Sequence, residues 1–147
     1  MSVIKFGTDG WRAIIGEDYT YDTVALVIQA FCELLISEGR HGDIYLGYDR
    51  RFSSKLFAEH AAKVLLGNGF KVYLSKSFCP TPAISWMVKK FGAQAGVVIT
   101  ASHNPFQWNG VKFKESYGGS ASPAFCNKVE QQILKNKAMR DTAVANA

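Results

Sequence analysis

Ala95-Gly96-Val97-Val98-Ile99-Thr100 is an uncharged run of small and β-branched residues, followed by the polar stretch 101–108 and then by Asn109-Gly110-Val111-Lys112-Phe113-Lys114. A strand that is apolar at every position has to be covered on both faces, as in a sheet with helices on each side. Asn109-Gly110 is a strong turn dipeptide and predicts a reversal into a second strand at 111–114, with the polar stretch held between the two strands.

Working outward from this run, the same alternation of strand and helix recurs. Toward the N-terminus, Thr81-Pro82 reads as a cap followed by proline at the first helical position, opening a helix with Ile84, Met87, Val88 and Phe91 inward. Phe70 to Leu74 reads as a strand, preceded by a helix that Ser53 caps, that Asn68-Gly69 ends, and whose inward stripe is Phe57, Ala61, Val64 and Leu65. Ile44 to Tyr48 is another strand, and Val24, Val27, Ile28, Phe31, Leu34 and Leu35 place a helix over about residues 21–38, with Thr20 as N-cap and Gly39 as stop. Toward the C-terminus, Ser122-Pro123 begins a last helix with Phe125, Val129 and Ile133 inward, and residues 135–147 form a weakly patterned tail. The expectation is a layered α/β/α domain with a mixed, mostly parallel sheet, antiparallel only where the short loop reverses direction. Residues 1–135 would form the domain and 136–147 a tail or the start of a linker.

The chain has 147 residues, 48% hydrophobic and 20% charged, a length and balance that suit one domain with a filled core and argue against disorder. Its most apolar stretch, 24–36, is broken by Gln29, Cys32 and Glu33 and falls short of the ~20 apolar residues of a membrane span. The first six residues lack the basic and apolar regions of a secretory signal, which favours a cytoplasmic location. Three widely spaced cysteines without a CxxC pair argue against a disulfide framework and a zinc site. A net charge of +5 is compatible with phosphorylated small molecules or nucleic acid and does not choose between them. Lys89-Lys90 and Lys135 to Lys137 are basic, but no nucleic-acid recognition motif or stacking array accompanies them, so neither nucleic acid nor membrane is expected as a partner.

Three polar segments can carry chemistry. Thr100-Ala101-Ser102-His103-Asn104-Pro105 leaves the C-terminal end of the buried strand, the edge at which open α/β sheets place ligands. Ser102 offers a hydroxyl as nucleophile or phosphate acceptor, His103 and Asn104 can hydrogen-bond phosphate oxygens or backbone, and Pro105 stiffens the exit. Residue type alone equally describes a polar turn. No GxSxG elbow and no Walker A loop occurs, which excludes the familiar serine-hydrolase and nucleotide-hydrolase patterns. The second segment, Phe6-Gly7-Thr8-Asp9-Gly10-Trp11-Arg12-Ala13, combines glycine freedom, a turn-fixing Asp9 and the planar donor fork of Arg12. It also fits a plain β-hairpin. The third, Gly47-Tyr48-Asp49-Arg50-Arg51-Phe52-Ser53-Ser54, opens a helix whose free N–H groups attract anions, although Arg50 and Arg51 can simply be solvated.

Taken in order, FGTDGWRA, GYDRRFSS, TASHNP and NGVK closely resemble the first domain of the α-D-phosphohexomutases, the phosphoglucomutase/phosphomannomutase group, over residues 3 to about 133. The form GTDGWRA is nearer to that branch than to the phosphoglucosamine branch, where the tryptophan is usually aliphatic and the alanine a glycine. The resemblance implies an intramolecular phosphotransferase. Ser102 would carry the transferable phosphoryl group with His103 beside it, Lys112 would serve proton transfer, and Arg12, Arg51, Asn104 and Lys112 would bind phosphate. It also implies Mg²⁺, held in this chain only through a phosphate oxygen on Ser102, and a hexose 1,6-bisphosphate as activator. The partners would be hexose phosphates and the further domains of the same polypeptide, which in this family carry an aspartate-rich metal loop and the sugar-reading residues. The chain alone is therefore expected to lack turnover. The alternative is a stand-alone phosphosugar- or anion-binding module.

Overall fold

The structure, a computed structural model, describes residues 3–7 and 9–145, with side chains as far as 141. Five strands and four helices follow one another as β1 (Trp11–Ile14), α1 (Tyr21–Ser37), β2 (Asp43–Tyr48), α2 (Ser54–Gly67), β3 (Lys71–Leu74), α3 (Thr81–Phe91), β4 (Ala95–Ile99), β5 (Trp108–Glu115) and α4 (Pro123–Ala145). The strands form one sheet in the order β1-β5-β4-β2-β3. β2 pairs in parallel with both β3 and β4, while β5 pairs antiparallel with β4 and with β1. The layered α/β domain with a mixed sheet is thus the observed fold, and β5 is the strand that runs against the rest.

Period-two alternation divides the sheet into two unlike faces. Leu46, Val97, Ile99, Val111, Phe113 and Trp11 point to one face, where they join Phe31 and Leu35 of α1, Phe57 and Leu65 of α2 and Val129 of α4 in the main core. Phe31 and Phe113 stack there with ring centroids 4.2 Å apart. On the other face, α3 covers only part of the sheet, through a small cluster of Tyr45, Ile84, Val88, Ala93 and Val98. α3 packs very closely: a Cβ on Gly47 would stand 2.7 Å from Ile84, and one on Gly96 2.8 Å from Val88. Further along β5 this second face turns polar, with Gly110, Lys112 and Lys114 in place of apolar side chains.

Several expectations meet a different local structure. Asn109-Gly110 is no turn but lies inside β5, because the buried Asn109 amide is satisfied by the Ser54 hydroxyl at 2.9 Å and by the N–H of Gly110. The reversal is made by residues 100–107 instead. Ser53 stands at the N-cap position of α2 with φ 57° and gives no side-chain cap; Asp49 Oδ1 accepts from the Arg51 N–H and the Ser54 hydroxyl. Thr81 is the first residue of α3 and Pro80 occupies the cap position. Phe91 is exposed and lies against Tyr45 and Trp86 rather than in the core. The weakly patterned stretch after 135 continues α4 as helix to Ala145. The helix over 21–38 agrees with its expectation, and Thr20 and Thr23 close a reciprocal capping box.

Candidate active site

β2 and β4 are parallel neighbours, so the segments leaving their C-terminal ends lie side by side, and the Asp49 N–H donates to Ile99 O at 3.1 Å. Ser102 stands exposed on the second of these segments with φ 56°. Its N–H donates to the Thr100 hydroxyl at 3.1 Å, the Asn104 N–H to Ala101 O at 3.0 Å, and its own hydroxyl lies 3.3 Å from His103 Nδ1. His103 is also exposed.

Arg51 meets the loop in an unexpected way. Nη1 donates to Pro105 O at 2.9 Å and Trp108 O at 3.0 Å, and Nη2 to Ser102 O at 2.8 Å and Asn104 O at 2.7 Å. Nε makes no hydrogen bond of good geometry, but it is buried in an ion pair with Asp49 Oδ2 at 3.3 Å. The four outer N–H groups are thus engaged by this chain and the fifth is shut away behind them. Arg50, by contrast, lies over the Phe78 ring at 4.6 Å and away from these carbonyls.

Arg12 reaches the same loop from β1, donating from Nη1 to Asn104 Oδ1 at 2.6 Å and from Nη2 to Asp9 O at 3.5 Å. Its partner across the ladder is Gly110, where a Cβ would stand 2.5 Å from Trp11 O, 2.7 Å from Thr100 O and 3.0 Å from Arg12 Cγ. Glycine here lets the arginine stem cross the sheet. Lys112, two residues along β5 and on the same face, is only 6% exposed and donates to Asp9 Oδ2 at 2.5 Å. Arg12, Asn104, Asp9 and Lys112 are thus drawn together from opposite ends of the chain, and they connect directly to the Ser102 loop.

Lys114 and Ser120 extend this group beyond the residues that the sequence marks as a site, and Asp9, read there only as fixing a turn, stands at its centre. Asp9 is the carboxylate between the cations, and Lys114, 7% exposed, donates to Ser120 Oγ at 3.0 Å, with that hydroxyl 3.5 Å from Asp9 Oδ1. The signal for Lys114 is its spacing of two from Lys112, which puts both on one strand face. Burial alone would raise the Asp9 carboxyl, but the Lys112 hydrogen bond and the charges of Lys112, Lys114 and Arg12 outweigh it and hold it below its ordinary 3.8. Burial holds the Lys114 ammonium below the usual lysine range, with Asp9 opposing and Lys112 adding to the effect. A carboxyl lowered on folding stabilises the fold above its ordinary value and stops doing so as pH falls through the folded value. Asp9→Asn should therefore lower the urea midpoint at about pH 7, with the gap to the unsubstituted protein closing as pH falls below the ordinary value of 3.8 and through the lower folded one. A gap that stays the same as pH falls through that region would show that the charge of Asp9 is not what stabilises.

Lys5, Gly7, Asp9, Gly10, Arg12, Asn104 and Trp108 line a cleft of about 340 Å³ beside the loop. Lys5 and Arg12, with Lys112 behind Asp9, make it a place where an anion is attracted. Among the described residues, no group of three or more His, Cys, Asp or Glu side chains is arranged to hold a metal ion.

The family model for phosphoglucomutase/phosphomannomutase, alpha/beta/alpha domain I, matches residues 3–140. A phosphoglucosamine mutase of Acetivibrio thermocellus is 36% identical over 132 residues, covering 89% of this chain and 29% of the relative. A phosphoglucomutase/phosphomannomutase of Thermococcus kodakarensis is 40% identical over 114 residues, covering 77% of this chain and 25% of its own. The crystal structure of a protein designated a phosphomannomutase from Thermus thermophilus superposes with a TM-score of 0.86 at 36% identity, over 90% of this chain and 30% of that one. The chain thus spans less than a third of the length of these relatives, whose names include more than one sugar. With its motifs gathered at one edge of the sheet and a match over nearly its whole length, the chain belongs to the phosphoglucomutase/phosphomannomutase family, as its alpha/beta/alpha domain I.

Proposed function

We propose that Ser102 is the phosphoryl carrier of a phosphohexomutase that interconverts hexose 1-phosphate and hexose 6-phosphate through the 1,6-bisphosphate. The observation that carries this reading is the exposed Ser102 hydroxyl on a strand-end loop that Asn104 ties to Arg12 at 2.6 Å. In loading, Ser102 Oγ forms a bond to phosphorus as the sugar oxygen–phosphorus bond breaks; the serine proton is given up and the sugar oxygen gains one. Transfer to the other sugar hydroxyl reverses these changes at a second position. Phosphoryl transfer asks mainly for in-line placement and compensation of phosphate charge. A phosphoserine of charge about −1.5 to −2 is favoured beside Arg12 and the Lys112–Lys114 pair. Lys112, already hydrogen-bonded to Asp9, is the group placed to hold or move a proton at its Nζ.

Mg²⁺ would supply further charge compensation at the phosphate. Among the described residues no group of three or more His, Cys, Asp or Glu side chains is arranged to hold it, and on this reading a phosphate oxygen on Ser102 would be the ligand this chain supplies. The 147-residue chain alone is accordingly expected to show no mutase turnover. No described helix is long and apolar enough to cross a membrane.

The test is to incubate the longest form of the protein that its gene encodes with glucose 1,6-bisphosphate and map the modification by mass spectrometry. Phosphate on Ser102 is expected. Stable phosphate on a different serine overturns the assignment, and phosphosugar binding with Ser102 unmodified would identify an anion-binding module instead.

A further inference from the structure

We propose that Arg51 sets the shape of the Ser102 loop as a positioning residue, acting through backbone carbonyls and taking no phosphate itself. Its consequence for chemistry rests on the reading of Ser102 as phosphoryl acceptor; its effect on the loop does not.

Besides Arg51, polar contacts reach the loop from β1 at Asn104 Oδ1 (Arg12 Nη1, 2.6 Å) and from Ile15, just after β1, at Gln107 O (Ile15 N–H, 2.9 Å), and apolar burial adds little. Phe106 is 86% exposed and Ser102, His103, Pro105 and Gln107 are exposed with it, so apolar burial does not anchor the segment. The carbonyls of Ser102, Asn104, Pro105 and Trp108 instead converge on one guanidinium at 2.7–3.0 Å. Four carbonyl dipoles pointing at one place repel one another unless a cation sits between them, and a planar fork can meet all four at once. Arg51 is itself only 13% exposed and is fixed from behind: its backbone N–H donates to Asp49 Oδ1 at 3.0 Å, and its Nε faces the other oxygen of the same carboxylate. The two non-glycine residues with positive φ among those described, Ser53 and Ser102, lie in the two segments that this side chain joins. A positive φ is unfavourable for a residue with a Cβ and persists where surrounding bonds over-determine it. At Ser102 those bonds are the Thr100 hydroxyl at its N–H and Arg51 at its carbonyl. With the four outer N–H groups taken and Nε buried against Asp49, no donor remains to bind a phosphate, so the contribution of Arg51 lies in where it holds Ser102.

The experiment uses Arg51→Lys and Arg51→Ala in the 147-residue chain, with Val129→Ala as a core variant that destabilises the domain without touching the loop. Amide hydrogen exchange is followed at Asn104 and Trp108, whose N–H groups donate within the loop to Ala101 O and Pro105 O. Both Arg51 variants should speed these amides about tenfold or more while Val97 to Ile99 stay protected, because a lysine ammonium cannot span four carbonyls. Val129→Ala should leave the loop amides unchanged. In the complete protein, Arg51→Lys should slow phosphoryl loading of Ser102 from glucose 1,6-bisphosphate about tenfold or more, with half-saturation kept within about threefold. Unchanged loop exchange in both variants overturns the proposal, as does half-saturation weakened about tenfold with loading at saturation preserved, the signature of a lost phosphate ligand. If Ser102 of the unsubstituted protein takes no phosphate, the acceptor reading fails, and loop exchange still decides the role of Arg51.

Discussion

Replacing Ser102 by alanine is expected to abolish phosphoryl transfer in the complete protein while leaving this domain folded. The side chain is exposed, its hydroxyl lies against His103 Nδ1 at 3.3 Å, and alanine keeps the Cβ that the positive φ already accommodates. What is lost is the oxygen that, in the proposed reaction, forms the new bond to phosphorus, and no other described serine hydroxyl occupies the end of β4. Removing a covalent nucleophile should cost about a thousandfold or more in turnover, with sugar phosphate binding retained because the cationic side chains remain. A coupled assay for glucose 6-phosphate formation from glucose 1-phosphate, run on both forms with the bisphosphate activator, reads this directly. Turnover within about tenfold of the unsubstituted protein would remove Ser102 from the reaction path.

The second large effect is on stability. Phe31→Ala should lower the unfolding free energy by about 3–5 kcal/mol, the usual range for emptying a buried phenyl site. Phe31 is fully buried, stacks on Phe113 with 4° between the ring planes, and meets the edge of Phe125 at 6.0 Å, so α1, β5 and α4 all lose a neighbour together. Against the roughly 5–15 kcal/mol typical of a whole domain this is a large share, and the thermal midpoint should fall by about 10 °C. A shift of less than about 2 °C would mean that the three elements close over the vacated space. Because Phe113 alternates with Lys112 and Lys114 along β5, weakening this stack also loosens the strand that carries two of the site's lysines.

The elements that can be read along the chain are those whose cause is local. The stripe from Val24 to Leu35 repeats with the helical period and has a threonine cap, so α1 follows from residues that touch one another within a few turns. The unbroken run at Ala95–Ile99 is apolar because both faces of β4 are covered, and that requirement is visible at each position. The motifs around Arg12, Ser102 and Lys112 are legible for a different reason: their order resembles a family, and the matched family model spans the same residues.

The remaining features depend on partners far away in the chain. Asn109-Gly110 has the composition of a turn, yet Ser54 satisfies the asparagine from 55 residues away and Trp11 O stands where a Cβ at Gly110 would go, so the pair lies in a strand. Ser53 has a capping side chain but takes a left-handed conformation, because Asp49 accepts the bonds at the start of α2. Arg51 looks like an anion-binding arginine beside a helix N-terminus; only the placement of β2 next to β4 brings four loop carbonyls around it and occupies its outer donors. Asp9 and Lys114 acquire their importance when β1 docks on β5 and encloses opposite charges together. Hydrophobic period and local composition therefore determined which segments become helix or strand and where the Ser102 loop begins. Tertiary structure decided what each polar side chain does, because a hydrogen bond or an ion pair is defined by its partner, and here those partners arrive only when distant strands are laid side by side.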